Sequence, residues 1–290
     1  MPEGRVIKAY NSFFYVQTED ELVTCKLRGR FKKKQGIYPG DRVEIGLLAD
    51  GTGVVEKLLP RASLLRRPLV ANVNQVLLTF AAAEPDPHPL LVSRFLVLAE
   101  WSQAGRIVVC VNKCDLGGAA ERVQHLCRAA GYPVLLVSAK TGQGVDALRQ
   151  TLAGHTTCFA GPSGVGKSSL LNAVAGLALQ TGHVSEKIRR GRHTTRVAEL
   201  LPFENGYIVD TPGFSALELT EIEEQRLPEL FPEMQPYVGL CRFAPCSHSH
   251  EPDCAVKEAV AKGFIQQERY DAYGTILEEI RTAAAKKKKR

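Results

Sequence analysis

No stretch of this 290-residue sequence approaches the roughly 18 consecutive apolar residues of a membrane-spanning helix, and no charged-then-apolar leader opens it. A helical membrane protein and a leader-directed secreted protein are thereby set aside; the first residues, MPEGRVIKAYNSFFYV, already read as folded strand. The cysteine spacing of a secreted disulfide scaffold is missing as well. Of eight cysteines, Cys25, Cys110, Cys114, Cys127 and Cys158 are scattered, several within apolar runs, whereas Cys241, Cys246 and Cys254 are clustered. That usage fits a reducing cytoplasm and one metal site. The cluster contains no C-x-x-C, which argues against a dithiol redox centre, and no internal repeat suggests an array.

What is present is the balance of an ordinary globular chain, 44% hydrophobic and 23% charged, long enough for two or three domains. The net charge of +6 is uneven: residues 1–67 carry +5, residues 281–290 carry +6, and the middle carries −5. Basic ends around an acidic centre point to a polyanion, nucleic acid, met at the ends.

The pattern divides the chain into three. Up to Arg66, short β-rich runs (RVIKAY, SFFYVQ, ELVTCKLRG, DRVEIGLL, GTGVVEKLLP) alternate with turn signals such as YPGD at Tyr38–Asp41. Five strands in sixty residues predict a small barrel, an OB-fold first, an SH3-like barrel as the alternative. RASLLRRP reads as a linker. Residues 67–220 then alternate near-continuous apolar strands with helical segments, the signature of a doubly wound α/β domain around a parallel sheet. Residues 221–290 are helix-rich, hold the cysteine cluster and end in a basic tail.

TCFAGPSGVGKSSLLNAV, from Thr157, carries the chemistry most specific to this chain. It fits G-x-x-x-x-G-K-[ST] between an apolar strand and a helix. Gly161, Pro162, Ser163, Gly164, Val165, Gly166, Lys167, Ser168 and Ser169 form the expected phosphate cradle, whose backbone N–H groups meet an anion at a helix N-terminus. Lys167 is expected to reach the β- and γ-phosphates and Ser168 to bind Mg²⁺. Downstream, YIVDTPG ends a strand with Asp210, placed for the Mg²⁺ shell, and offers the Gly213 N–H to the γ-phosphate. Between them, GRHTTR supplies Thr195, with Thr194 in reserve, as the switch threonine on the metal.

The base motifs lie upstream. CVNKCDL gives Asn112, Lys113 and Asp115: a carboxylate at Asp115 accepts from both N1 and N2 hydrogens of guanine, and adenine would leave that charge unpaired. Lys113 would lay its stem along the base while Asn112 braces the loop. VSAK adds the Ser138–Ala139 backbone, followed by Lys140, for the guanine oxygen. Base motifs before phosphate motifs is the order of a circularly permuted GTPase. The geometry tolerates it, because each motif still follows the carboxyl end of a strand. Phe214 stands where many GTPases carry a water-orienting polar residue, leaving His193 as this chain's own candidate unless a partner supplies the group. Unassisted turnover should be slow, roughly 10⁻⁴–10⁻³ per second.

CRFAPCSHSHEPDC spells C-x₄-C-x-H-x₅-C, three thiolates and an imidazole suited to a closed structural Zn²⁺ site. Cys241, Cys246, His248 and Cys254 are the candidates, with His250 as a substitute for His248. KLRGRFKKK concentrates Lys26, Arg28, Arg30, Lys32, Lys33 and Lys34 without an acid, a candidate RNA-binding face, while the neighbouring Phe13, Phe14 and Tyr15 are expected in the barrel core.

Together GPSGVGKSSLLN, GRHTTR, DTPGF and CRFAPCSHSHEPDCAV resemble the bacterial small-ribosomal-subunit-dependent GTPase A family over essentially the whole chain. The resemblance implies an OB domain, a permuted GTPase and a zinc domain in that order, and favours His248 over His250. It also implies Mg²⁺-dependent GTP hydrolysis stimulated by the small (30S) ribosomal subunit late in its maturation. The expected partners are that subunit and its rRNA, for a cytoplasmic monomer. An RNA chaperone whose affinity is set by nucleotide, or a signalling GTPase, are the alternatives.

Overall fold

The structure is a computed structural model that describes residues 1–27, 36–66, 68–180, 198–210 and 219–288. Five strands open it: β1 (Glu3–Tyr10), β2 (Phe13–Gln17), β3 (Leu22–Leu27), β4 (Arg42–Leu47) and β5 (Gly53–Leu58). They run in the order β1-β2-β3-β5-β4, and β4 pairs back onto β1, closing a barrel in which only β3 and β5 are parallel. Strand alternation supplies its core: Val6, Phe14, Val16, Val23, Cys25, Val43, Ile45 and Val55 point inward with Ile37. The same alternation corrects the expectation for the rings. Phe14 is core, but Phe13, one residue earlier on the opposite face, is exposed, with the Lys26 ammonium 5.2 Å from its ring centre.

The expected linker holds structure of its own. Leu64–Arg66 (β6) pairs antiparallel with Leu69–Ala71 (β7), because Leu65 and Val70 are both fully buried in the α/β core.

That core surrounds the strands β8 (Gln75–Ala81), β9 (Arg106–Asn112), β10 (Val134–Leu136), β11 (Thr156–Ala160), β12 (Glu199–Phe203) and β13 (Gly206–Asp210). The spatial order is β10-β9-β8-β11-β13-β12. All are parallel except β12, which the two-residue turn Glu204–Asn205, with φ +42° and +61°, folds back on β13 as a hairpin. Successive residues of β8 face opposite layers. Val76, Leu78 and Phe80 meet α1 (Pro89–Ser102) and α2 (Ala120–Ala129); Leu77 meets α3 (Val145–Leu152) and α4 (Lys167–Gln180).

The C-terminal region joins the first of these layers. Short 3₁₀ turns at 219–237, then α5 (Ala255–Ala261) and α6 (Gln267–Lys288), bury Leu227, Phe231, Met234, Tyr273, Ile276 and Ile280 against the α1 side. At its centre lies an ion pair whose two side chains are almost wholly shielded from solvent. Arg269 Nε is 2.5 Å from Glu233 Oε1, and its guanidinium stacks 4.5 Å from the Phe231 ring centre.

At the other flank the barrel continues the sheet. Lys8 of β1 pairs with Glu199 of β12, and their side chains form a 3.0 Å ion pair. Arg5 donates to the Thr156 hydroxyl at 2.8 Å and lies 4.8 Å over Tyr207. Among the described residues no helix is long and apolar enough to cross a membrane.

Removing one member of a desolvated pair strands the other. Arg269→Ala is therefore expected to cost about 3–5 kcal/mol in urea unfolding. An apolar double replacement, Arg269→Met with Glu233→Met, should recover most of that loss.

Candidate nucleotide site and metal cluster

The nucleotide motifs meet at the carboxyl ends of β8, β9, β10 and β11. β11 runs into the loop 161–166, and α4 begins at Lys167, its first helical bond passing from Leu170 N–H to Gly166 O at 2.9 Å. Two glycines here have no substitute. Gly161 has φ +137° and its Cβ would sit 2.0 Å from Thr79 O; Gly166 has φ +90° and its Cβ would sit 2.4 Å from Asn112 Nδ2. Lys167 Nζ donates to Gly161 O (2.8 Å) and Pro162 O (2.7 Å), and burial lowers its pKa. Ser163, Gly164, Ser168 and Ser169 are exposed along the loop and first helical turn, where a ligand can reach them; Val165 is buried.

Asn112 ends β9 and is almost fully buried. Its Nδ2 donates to Val165 O at 2.9 Å and its Oδ1 accepts from Ala139 N–H at 3.2 Å. One carboxamide thus ties the base motif to the phosphate loop and to the Ser138–Lys140 loop. Ser138 Oγ donates to Asp115 Oδ1 at 2.6 Å and accepts from Thr141 N–H, fixing the carboxylate in an exposed turn. Lys113 adopts φ +59°, and its ammonium donates to the Glu84 carbonyl, a partner outside every motif read from sequence. Lys140 is exposed.

Asp210 is the last residue of β13, directly beside β11. His193, Thr194, Thr195, Gly213 and Phe214 lie outside the described residues, as do Arg28, Arg30 and Lys32–Lys34. The switch and most of the basic run therefore remain as read from sequence.

The metal cluster assembles at the start of α5. The ligand atoms of Cys241, Cys246, His248 and Cys254 all lie within 4.8 Å of one another. Tetrahedral Zn²⁺ at ordinary bond lengths needs about 3.8 Å between sulfurs and about 3.5 Å between sulfur and nitrogen. Cys241 and Cys254 Sγ are 3.7 Å apart, and His248 Nδ1 is 3.4 Å from each. The four residues could hold a zinc ion through Nδ1. His250 is exposed and its ring bonds Ser249 instead. Burial lowers the His248 pKa, favouring the neutral ring a metal needs, and raises the Cys246 and Cys254 thiols, which would lose their protons to a cation. The loop is pinned from α6: Tyr270 and Tyr273 hydroxyls donate to His248 O (2.9 Å) and Ser247 O (2.7 Å). Glu251, although burial opposes its charge, accepts from the Ser247 hydroxyl and N–H and from Ser249 N–H, holding its pKa down to about 2.

Residues 58–220 match the family model described as RsgA GTPase, and residues 3–55 match the RsgA N-terminal domain. The chain belongs to the RsgA GTPase family. Membership makes it a GTP-hydrolysing enzyme, with Mg²⁺ as the metal the family implies. RsgA relatives from Moorella thermoacetica and Clostridium perfringens, each named "Small ribosomal subunit biogenesis GTPase RsgA", are 48% and 46% identical to it. Alignment covers 96% of this chain and 97% and 98% of theirs. YjeQ from Thermotoga maritima superposes with a TM-score of 0.84 at 39% identity, over 96% of this chain and 98% of that one. YloQ, titled a circularly permuted GTPase, gives 0.82 at 35%, over 97% and 96%. The permuted architecture read from motif order is thereby that of this RsgA family member, with the five-stranded barrel in front and the Cys₃His cluster behind.

Asn112→Ala should weaken GDP binding about tenfold or more, since it leaves a buried carbonyl and N–H without partners; titration with a fluorescent GDP analogue measures it. Chelation is expected to release one zinc per chain and lower the thermal midpoint, whereas a Cys241→Ala variant should hold no stoichiometric zinc.

Proposed function

We propose that this chain binds the small ribosomal subunit and hydrolyses GTP during late maturation of that subunit, the subunit itself stimulating turnover. The observation that carries this reading is the likeness, across 96% of the chain, to relatives named for small ribosomal subunit biogenesis. The uneven charge supports it: the +5 and +6 ends suit rRNA phosphates. In this reading domains 1–66 and 221–290 hold the rRNA, domain 67–220 hydrolyses GTP, and the protein is a cytoplasmic monomer with a structural Zn²⁺.

The site residues take the roles their chemistry suits. Asp115 reads the guanine edge, Lys113 covers the base, and Ser138, Ala139 and Lys140 line the pocket near the base oxygen. The loop from Gly161 to Ser169 cradles the phosphates, with Lys167 neutralising charge that builds on them. Ser168, Thr195 and Asp210 would hold Mg²⁺, which supplies charge stabilisation on the phosphates when bound. Gly213 N–H meets the γ-phosphate, and His193 orients the attacking water in place of Phe214.

Turnover by the purified chain, alone and with isolated small or large subunits at fixed salt, tests the partner. Strong stimulation by the small subunit alone is expected, and equal rates in all three would overturn it. Asp115→Asn should shift preference from GTP toward xanthosine triphosphate; unaltered selectivity would remove Asp115 from the base pocket.

A further inference from the structure

The segment leaving β8, Glu84-Pro85-Asp86-Pro87-His88-Pro89, belongs to none of the nucleotide motifs, yet it stands among them. β8 lies between β9, which ends in the base motif, and β11, which ends in the phosphate loop, so its exit enters the same cleft. The root of the segment is knitted to the base motif. Ala82 N–H donates to Asn112 O at 2.8 Å, and Ala82 O accepts from Ala119 N–H at 3.0 Å. Glu84 then takes up φ +50°, turning its carbonyl toward the Lys113 ammonium. Pro85 Cδ lies 3.7 Å from where a Cβ on Gly164 would stand, at the tip of the phosphate loop. Three prolines at alternate positions fix φ along the segment, and buried Pro87 anchors its far end. The result is a stiff arch with one foot on the lysine of the base motif and its crown beside the tip of the phosphate loop.

We propose that this arch is a positioning element of the nucleotide site, with Glu84 and Pro85 acting through Lys113 to set how long guanine nucleotide stays bound. The inference rests on the reading of Lys113 as the base-covering residue. A lysine stem is a long flexible chain, and its ordering on binding costs free energy. Anchoring its ammonium on the Glu84 carbonyl removes that cost beforehand. Glu84, Pro85 and Asp86 are themselves exposed, so the arch contributes little to the core and its stiffness is available to the site.

The test is a double-mutant cycle on the full chain, with the release rate of a fluorescent GDP analogue as the readout. Pro85→Ala should speed release about threefold or more and raise KM for GTP with kcat held, while the thermal midpoint of the nucleotide-free protein stays put. Lys113→Ala should speed release further, and the double variant should release no faster than Lys113→Ala alone. If Pro85→Ala is silent, or if the two effects simply multiply, the arch does not act through Lys113 and the proposal is overturned while the base pocket survives. Unchanged release in Lys113→Ala would overturn the base-pocket reading first, and the arch with it.

Discussion

The nucleotide site depends on the two hydrogen bonds of one buried carboxamide. Asn112 donates to Val165 O and accepts from Ala139 N–H, so three loops from three strands are held at fixed spacing by one side chain. This bracing has a steric condition, because its approach leaves no room for a side chain at position 166. The glycine before the invariantly placed lysine of such loops is usually explained by phosphate access; here it is equally required by the asparagine behind it. Permutation leaves this arrangement intact, since the braces run between strand ends and are indifferent to the order in which the chain visits them.

Legibility in the sequence followed the range of the interactions. The phosphate loop, the N-K-x-D segment and the cysteine cluster are local spacings; the first two fall on the strand-to-helix turn and strand end read for them, and the third gathers at the approach to α5. The five barrel strands were legible through alternation, which marks Val6, Val16, Val43 and Ile45 as inward. What escaped involves backbone acceptors or distant partners. The Glu84 carbonyl has no side-chain signature to announce it, and the Arg269–Glu233 pair joins residues whose charges look solvated until α6 is packed. The β6–β7 hairpin was hidden for a related reason. Its flanking arginines read as linker, and only Leu65 and Val70, one on each strand, reveal its buried side. Nor does a spacing rule say which histidine nitrogen faces a metal; in the fold it is Nδ1 that stands 3.4 Å from two of the thiol sulfurs.

The same packing logic joins the three regions into one body. The C-terminal helices share the core of the α1 layer, so the metal cluster is braced by tyrosines from a helix that also contacts the GTPase domain. The barrel is held at the opposite flank by a strand pairing and by the half-buried Arg5, whose guanidinium loses part of its basicity to desolvation while bonding Thr156. The C-terminal region thus packs on the α1 face of the sheet, while the barrel joins the sheet at its β12 edge.

Open sheets carry a hazard at their margins, where unpaired N–H and C=O groups invite any passing strand. In this molecule β12 would be such a margin, but β1 lies along it and sets a lysine–glutamate pair at the seam. The barrel returns upon itself, and on the far side the described sheet ends in β10, three residues long. Joining the domains edge to edge therefore does more than fix their relative position. It covers part of the β12 rim with a strand of the barrel, leaving a foreign strand less of that rim to extend.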